Sequence, residues 1–562
     1  MQRTPMAFAA VVWCGMAATF ASLCGCGGNR SNGFETSSGS SSGDRFGGSG
    51  NGGGSSGGST SGSFGGGSGG STSGSFGGSS NGAGGSAIDG GYQCPAGLQC
   101  NTPCASGGDT TISGKVFDPA GNNPLYNVAV YVPSVPLEPL PRGVPTGADA
   151  CNCSALYKSG AITTAQTAVD GSFTLKNAPA GSMVPVVLQI GKWRRLVHID
   201  VNACQPNAQA DGALTLPGSV AAGDVDDNMP DIAVSTGYAD TLECLMHRMG
   251  VADSEYVAGN STSGHIHLFA GGIGTSKPQP TSRGAQEVPA TPGAPPSDTA
   301  LWDSANDLMP YDITLLSCEG GETYDAKPAN LETYLNAGGR VFASHFHYAW
   351  FSGPMASGQS YSAPMDWGGN LASWALAPTT NSGPIGGVVD QTLNLNGMPF
   401  PKGQALEQWL MLVGGLSTGQ KGVNVGDVPI FDPRYNAVVT SSHKPSQPWI
   451  TSDGSGRGGM AGETMYFSFD TPVNLTPATG PDAGEASYCG RAVFSDLHVG
   501  GSYTTKDNAP APAGCSPGPI TGTTGVALSE QEKVLEFMIF DLSSCVVPDT
   551  IVPPAPTMPP PQ

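Results

Sequence analysis

The sequence has few positive charges and few charges of either sign. Lys and Arg number 23 against 44 Asp and Glu, for a net charge of −21, and charged residues make up only 12% of the chain. An acidic surface repels nucleic acid and anionic membranes, so we expect no nucleic-acid partner. A repeated strand–helix pattern of eight units is also missing, which excludes a TIM-barrel enzyme. Glycine (84) and proline (47) are instead abundant, as in exported β-rich proteins with flexible segments.

The N-terminus has the pattern of an export signal. One early arginine precedes an apolar stretch from Met6 to Leu23, followed by small residues, which predicts a signal peptide over residues 1–25. The stretch Leu-Cys-Gly-Cys at its end resembles the bacterial lipobox, which implies that Cys26 is acylated. The resemblance implies a bacterial lipoprotein, exported to the outer membrane or cell surface and bound to the membrane through its lipid anchor. The alternative is an ordinary cleaved signal peptide.

Residues 26–91 are almost entirely glycine and serine. Such a segment cannot bury enough apolar area to fold, so we predict a disordered tether. A proline-rich tail, residues 547–562, closes the chain. The fold class that we predict is multidomain: a β-sandwich and an α/β domain with a parallel sheet behind this tether.

Cysteine content agrees with export. Eleven cysteines lie beyond the predicted signal and anchor: Cys94, Cys100, Cys104, Cys151, Cys153, Cys204, Cys244, Cys318, Cys489, Cys515 and Cys545. Exported chains oxidise such cysteines, so we expect most of them to form disulfides and at least one to stay free, because the number is odd. No pair has the spacing of a zinc ribbon. Cys244 lies on the face of its predicted helix opposite the apolar residues, which favours a disulfide.

Residues 92–215 read as short strands divided by turns. The segments SGKVFDPAGNNPLYNVAVYV and TAVDGSFTLKNAPAG alternate apolar and polar residues around Asp-Gly and Pro-Ala-Gly turns. They resemble the carboxypeptidase regulatory-like (transthyretin-like) β-sandwich, which implies a spacer or binding module without catalysis. The six cysteines of this region form an even set that could staple it internally. Trp193, Arg194 and Arg195 are either a small binding patch or an edge strand with solvated arginines.

Residues 216–230 form an acidic linker in our interpretation. Asp224, Asp226 and Asn228 have the spacing that opens a calcium loop. The glycine and glutamate that such a loop needs are replaced by Met229 and Ser235, so we favour the linker.

From residue 231 the pattern becomes β/α. Apolar runs that predict buried strands alternate with segments that predict helices, one of which opens with the capping box Ser529 to Glu532. The segments YDITLLSCEGG, GGRVFASHFHY and GRAVFSDLHVGG resemble the class I glutamine-amidotransferase-like fold, most closely its trehalose-utilisation-protein-like branch. The resemblance covers residues 231–546, with an unmatched insertion from about 350 to 480, and implies a flavodoxin-like parallel sheet.

The resemblance also places the catalytic positions of that fold. The nucleophile position after RVFAS falls on His345, the base on His498, and the acid on Gly500. Neither a cysteine nor a carboxylate occupies its position, so we expect no cysteine glutaminase. Cys318 follows the preceding strand, and we interpret it as a disulfide or buried thiol without a histidine in hydrogen-bond reach and an acid behind it.

Glu319, His345 and His498 follow three predicted strands. Ligands in open α/β sheets gather at the carboxyl ends of strands, so we expect the two imidazoles to lie within about 8 Å of each other with Glu319 at the rim. Of His345 and His347, one enters the pocket. The three residues could bind a divalent metal such as zinc or act as general acid and base. An inert, hydrogen-bonded histidine cluster is the alternative.

Two functions stay open from the sequence. The first is a cell-envelope lipoprotein with a non-catalytic or carbohydrate-binding domain displayed on its tether. The second is a hydrolase or lyase that acts on a sugar derivative through His345 and His498. Trp350, Trp367 and Trp374 could stack on sugar rings, although large aromatic side chains more often fill a core.

Overall fold

The computed structural model describes residues 94–556 and 558, apart from residues 106, 238, 273–276, 279–292, 357, 377–383, 474–487 and 500–527. The predicted signal peptide, lipidation site Cys26 and glycine/serine tether lie outside these residues. The chain divides into two compact units, Met1–Asn81 and Gly82–Gln562, and the description below concerns the second. None of the helices in the described ranges is long and apolar enough to cross a membrane.

The described part is rich in strands, with several sheets and few helices, which confirms the coarse prediction of a multidomain, strand-rich chain. Its N-terminal region contains eight strands: β1 (Thr111–Phe117), β2 (Ala129–Pro133), β3 (Ala161–Gln166), β4 (Ser172–Leu175), β5 (Gly181–Ile190), β6 (Trp193–Val201), β7 (Pro206–Ala208) and β8 (Leu214–Thr215). One sheet has the order β3-β2-β5-β6 and is antiparallel throughout. The other has the order β4-β1-β7, with β8 also paired to β1.

The predicted Asp-Gly turn lies between β3 and β4. Asp170 Oδ1 accepts a hydrogen bond from the Ser172 backbone at 3.1 Å, and Gly171 has φ +75°, which a residue with a Cβ adopts only under strain. Alternate residues of β1, Ile112 and Val116, are fully buried, as expected for a strand with one face on the core.

The second region is built on a ten-stranded sheet and a separate two-stranded sheet. Their strands are β9 (Ile232–Thr236), β10 (Tyr256–Ala258), β11 (Ile266–Ala270), β12 (Ile313–Leu316), β13 (Arg340–Ser344), β14 (Ser373–Trp374), β15 (Ile385–Val389), β16 (Val428–Ile430), β17 (Ala437–Val438), β18 (Ser446–Gly456), β19 (Thr464–Thr471) and β20 (Gly490–Ser495). The large sheet has the order β10-β11-β9-β12-β13-β20-β19-β18-β15-β16, and β14 pairs with β17.

The large sheet has a parallel half and an antiparallel half. The six neighbouring strands β10, β11, β9, β12, β13 and β20 pair in parallel. Every residue of β9, β11 and β12 is buried, as in sheets covered on both faces. The strands from β20 onward pair antiparallel. The four antiparallel strands β15, β16, β18 and β19 belong to the predicted insertion from about 350 to 480. That segment therefore extends the main sheet rather than standing apart from it.

Seven α-helices occur among the described residues: α1 (Leu242–Arg248), α2 (Ser297–Ala300), α3 (Ala305–Leu308), α4 (Pro328–Asn336), α5 (Tyr348–Ser352), α6 (Pro401–Val413) and α7 (Glu530–Ser543). Proline takes the first position of α4 and α6, where a missing N–H leaves no bond unmade. The predicted capping box of α7 is present, with the Ser529 backbone donating to Glu532 Oε2 at 2.8 Å.

The N-terminal region and the large sheet share one apolar core. Aromatic side chains of α7 join the two regions in this core. The ring centroids of Trp193 and Phe540 are 5.7 Å apart, and those of Tyr126 and Phe537 are 6.1 Å apart. Trp193 and Arg194 are buried, and the Arg194 guanidinium donates to the backbone carbonyls of Glu138, Val225 and Asp226. The binding-patch interpretation of these residues is therefore wrong, and so is the solvated arginine for Arg194.

The expectation that most of these cysteines form disulfides is confirmed. Four are Cys94–Cys100, Cys104–Cys204, Cys151–Cys489 and Cys153–Cys545. Cys244 is disulfide-bonded as predicted, and Cys515 lies outside the described residues. The six cysteines of the N-terminal region do not staple that region alone, because two of them reach the start of β20 and the end of α7. Sequence spacing could not show such long-range partners.

Candidate functional site

Three neighbouring parallel strands deliver the candidate site. Strands β12, β13 and β20 are adjacent in the sheet, and just beyond their carboxyl ends come Cys318, His345 and His498. One side-chain atom from each residue lies within 4.8 Å of the others. A parallel sheet brings the ends of its strands to one edge, so residues far apart in sequence meet there.

His345 holds the centre of this cluster in a strained conformation. It follows β13 directly and has φ +44°, a left-handed value that is costly for a residue with a Cβ. Its Nδ1 lies 2.9 Å from His498 Nε2 and 3.3 Å from Cys318 Sγ. The two imidazoles therefore meet, as the sequence predicts.

His347 does not join the cluster. Residues His345–His347 form a short 3-10 turn, so side chains two positions apart diverge. His347 Nδ1 instead lies 3.1 Å from the Ser344 carbonyl oxygen, and burial lowers the pKa of His347 to about 4. The sequence placed one of these two histidines in the pocket, and it is His345.

Cys318 is a buried free thiol with hydrogen-bond partners. The Gly320 backbone N–H points at its sulfur from 3.4 Å, and its own N–H donates to Ser344 Oγ at 3.0 Å. Its carbonyl oxygen accepts a hydrogen bond from Ala239 at 2.9 Å, which fixes the loop after β12. The thiol interpretation is confirmed, but the expectation that no histidine lies in hydrogen-bond reach of Cys318 is wrong.

An acid lies behind His498, which is also contrary to expectation. Asp432 Oδ2 is 2.6 Å from His498 Nδ1, and Arg434 donates to both carboxylate oxygens, at 2.8 Å from Nη2 to Oδ2. The amidotransferase-like resemblance places the acid at Gly500, which lies outside the described residues. The carboxylate comes instead from the loop after β16, within the segment interpreted as an insertion.

The loop that carries Asp432 is held by the residues around the end of β20. The Asp496 carboxylate accepts hydrogen bonds from the backbone of Asn436 and Ala437 at 2.5 and 2.8 Å, and its backbone carbonyl accepts one from Arg434 at 2.7 Å. The strand that supplies His498 thus also positions its acid. The only sequence signal was a closely spaced Asp-Pro-Arg in a chain with few charges.

Burial and neighbouring charges separate the two imidazoles. Burial lowers the pKa of His345 well below its usual value, and the charges of His498 and Arg434 lower it further. Burial also lowers the pKa of His498, but its interactions with Cys318 and Asp432 outweigh burial and raise this pKa to about 9. Burial raises the pKa of Asp432, yet its bonds to His498 and Arg434 bring it below the usual value. At neutral pH the cluster therefore favours a neutral His345 beside an imidazolium at His498.

Glu319 is not one of the three residues whose side-chain atoms converge. It is fully buried, and its Oε1 lies beside Gly271 in the loop after β11, where a Cβ added to Gly271 would be 3.2 Å away. Burial raises the pKa of Glu319 to about 8, so this carboxyl is protonated at neutral pH. Among the described residues, the group able to hold a metal consists of Cys318, His345 and His498. Cys318 therefore takes the place in that group that the sequence gave to Glu319.

The tryptophans of the predicted insertion are core residues for the most part. Trp350 and Trp367 are buried, and Trp350 Nε1 donates to Thr323 Oγ1 at 2.9 Å. Trp374 is partly buried and packs edge-on to Phe494 with centroids 5.6 Å apart. Trp350 and Trp367 are thus not available to stack on a sugar.

No protein-family model matches the sequence, and no curated protein matches it either. A crystal structure of a type II cohesin–X-dockerin complex from Acetivibrio cellulolyticus, a C-terminal interface mutant, is 14% identical to this chain. The match covers 27% of this chain and 78% of that chain with a TM-score of 0.13. A similarity at that level carries no argument about fold or function.

Proposed function

We propose that the protein is a cell-envelope hydrolase in which Cys318 is the nucleophile and His498 the proton carrier. The observation that carries this proposal is the order of contacts: the Cys318 sulfur and His498 Nε2 lie within 4.8 Å of each other, and Asp432 lies 2.6 Å behind the other ring nitrogen. A thiol nucleophile needs a nearby imidazole that a third group orients. Asp432 and Arg434 supply that third group.

In the first step the Cys318 thiolate attacks the carbonyl carbon of an ester or amide. The new C–S bond pushes the carbonyl electrons onto oxygen, and their return breaks the bond to the leaving group. The leaving group takes the Nε2 proton of His498, and its release leaves a thioester on Cys318. The raised pKa of His498 suits it to start this step as the acid.

In the second step water attacks the thioester carbon and gives one proton to the now neutral His498 Nε2. The C–S bond then breaks, releasing a carboxylic acid and the thiolate, so the starting thiolate–imidazolium pair is restored. Asp432 keeps the Nδ1 proton of His498 in place through both steps. His345 contacts both Cys318 and His498, and we assign it a positioning role.

The architecture that we propose for this enzyme follows the sequence resemblances. A carboxypeptidase regulatory-like β-sandwich precedes an amidotransferase-like α/β domain. The six parallel strands β10, β11, β9, β12, β13 and β20 and the strained backbone at His345 support the amidotransferase-like assignment. The proposed substrate class is a sugar derivative, which the trehalose-utilisation-protein-like resemblance implies, and the thiol nucleophile requires that it carry an ester or amide bond.

The proposed location is the outer membrane or surface of a bacterial cell, with acylated Cys26 as the membrane anchor. The lipobox resemblance and the disulfides support export. Cys26→Ala is expected to move the protein out of the detergent phase and to abolish fatty-acid labelling. Labelling that persists in this variant would exclude the anchor.

A second candidate is a non-catalytic or carbohydrate-binding envelope module. The observation that favours it is burial: Cys318 is 0%, His345 4% and His498 5% exposed. A substrate reaches such a cluster only if the surrounding loops move. In this alternative the cluster is a structural remnant, and glycan binding measured on an array survives Cys318→Ala.

The experiment that separates the candidates uses p-nitrophenyl acetate as a generic acyl donor on the purified full chain. The hydrolase proposal expects a burst of p-nitrophenolate and steady turnover that Cys318→Ala reduces by about 10³-fold or more. His198→Ala, an exposed histidine of β6, is the matched control and keeps the wild-type rate. Equal rates in wild type and Cys318→Ala would reject the hydrolase.

A further inference from the structure

Cys318, His345 and His498 present three donor atoms of the types that bind metal ions in proteins. The distances are 2.9 Å between His345 Nδ1 and His498 Nε2 and 3.3 Å between His345 Nδ1 and Cys318 Sγ. One sulfur and two imidazole nitrogens, one from each of three strands, converge on a common point. Thiolate with imidazole is the ligand set that zinc and similar thiophilic ions prefer over magnesium or calcium.

The surroundings of the cluster orient one ligand as metal sites require. A ligating histidine commonly binds a carboxylate through its other ring nitrogen, which fixes the tautomer and directs the free lone pair at the ion. Asp432 makes that contact with His498 Nδ1 at 2.6 Å and leaves Nε2 facing the sulfur side. Arg434 holds the carboxylate in turn. This arrangement is independent of the donor distances.

We propose that Cys318, His345 and His498 bind one thiophilic divalent cation of the Zn²⁺ class, and that the bound ion holds the proposed hydrolase inactive until it is removed. Three protein ligands leave a fourth tetrahedral position for water or an anion. Glu319 is not a ligand in this proposal, because its carboxyl group lies beside Gly271 and does not belong to the convergent donor group.

The binding of the cation does not depend on the hydrolase, whereas its inhibitory role rests on that proposed function. Zn²⁺ would occupy the Cys318 sulfur and the Nε2 lone pair of His498, the same atoms that nucleophilic catalysis uses. Metal binding and thioester formation therefore exclude each other. Zn²⁺ at saturating concentration is expected to suppress acyl transfer, and a chelator to restore it.

The test titrates the full chain with Co²⁺ alone, which replaces Zn²⁺ and absorbs light. We expect one equivalent to bind with a sulfur-to-cobalt charge-transfer band in the near ultraviolet, and Zn²⁺ to displace it. Cys318→Ser abolishes the band, and Asp432→Asn weakens affinity by about 10- to 100-fold. His198→Ala is the control and leaves both unchanged. If circular dichroism shows that Cys318→Ser does not fold, His345→Ala is measured instead, and it should weaken affinity by at least as much.

Absence of Co²⁺ binding, or a band and affinity that survive these variants, overturns the metal site. The two proposals fail separately. A thioester without Co²⁺ binding rejects the metal and keeps the hydrolase, whereas Co²⁺ binding with no thioester in metal-free protein rejects the hydrolase alone.

Discussion

Two histidine–aspartate–arginine groups lie at different strands and opposite strand ends of the large sheet, and all their residues are buried except Arg142, which is exposed. In the first, His267 Nε2 lies 3.0 Å from Asp231, and Arg142 binds the same carboxylate. In the second, His498 lies 2.6 Å from Asp432, and Arg434 binds that carboxylate. Each arginine also lies 3.3 Å from the histidine nitrogen that faces the acid. Composition and distances are thus nearly the same.

What differs is the second ring nitrogen. His267 Nδ1 is buried without a hydrogen-bond partner among the described residues, whereas His498 Nε2 meets His345 and lies near the Cys318 sulfur. The first group also lies at the amino ends of the strands, since Asp231 directly precedes β9 and His267 is the second residue of β11. A hydrogen-bonded imidazole is therefore not evidence of chemistry by itself. The nucleophile opposite it and the strand end that carries it make the difference.

The first group has a structural role that its position explains. Arg142 comes from the N-terminal region and reaches Asp231 at the start of β9, where it also donates to the carbonyls of Thr262 and Gly264. It ties the two regions together much as the disulfides Cys151–Cys489 and Cys153–Cys545 do. The group thus provides matched controls for His498, Asp432 and Arg434 of the candidate site.

Substitution of His498 and of His267, each by glutamine, should give the largest difference in hydrolysis rate between the two groups. His498→Gln is expected to slow p-nitrophenyl acetate hydrolysis by about 10²- to 10⁴-fold, because it removes proton transfer to the leaving group. His267→Gln should leave the rate unchanged and lower only the melting temperature. Steady-state rates and thermal unfolding of both variants measure this, and an equal loss of rate in the two would remove the distinction between the groups.

Substitution of Arg434 and of Arg142, each by lysine, should give a smaller difference in hydrolysis rate. Arg434→Lys replaces a guanidinium that binds both carboxylate oxygens of Asp432 by a single ammonium, so the acid is held less firmly. We expect hydrolysis to slow by about tenfold through a lower kcat with KM unchanged. Arg142→Lys, which makes the same exchange at Asp231, should keep the rate. Loss of rate in Arg142→Lys would mean that the first group affects the site through the fold.

The smallest effect concerns acid stability. Burial raises the pKa of Asp231, but its bonds to Arg142 and His267 bring it below the usual 3.8. A depressed pKa contributes stability above pH about 4 that is lost as pH falls through the folded-state value. Asp231→Asn should therefore be less stable than wild type at neutral pH and nearly equal to it in strong acid. The measurement is the melting temperature of both proteins between pH 2 and 7. We expect a difference on the order of a few degrees at neutral pH that disappears in strong acid. Parallel curves for the two proteins would contradict this.

The sequence predicted one part of the site well. Apolar runs such as YDITLLS and RVFAS predict buried parallel strands, and parallel strands bring their carboxyl ends together, so His345 and His498 could be paired although they are 153 positions apart. The helices with proline starts or a capping box were also predictable, because those signals act locally.

The contact of Asp432 with His498 could not be predicted from the sequence. The loop that carries Asp432 follows a three-residue strand in the antiparallel half of the sheet, where pairing is set by contacts with distant strands rather than by local periodicity. The acid therefore comes from the part of the chain with the weakest pattern. The prediction that Cys318 lacks a histidine failed for a related reason: the 3-10 turn at His345 swings that imidazole back toward β12, and a strand assignment does not contain such a turn.

Thioester trapping tests whether Cys318 is the nucleophile and whether Asp432 acts with it. Wild-type protein, Asp432→Asn and Asp231→Asn are mixed with p-nitrophenyl acetate, quenched in acid and mapped by mass spectrometry. We expect one acetyl group on the Cys318 peptide in wild type and in Asp231→Asn, and a rate of acetylation lower by about 10²-fold or more in Asp432→Asn. Acetylation that is absent from Cys318 in wild type, or equally fast in all three proteins, would contradict it.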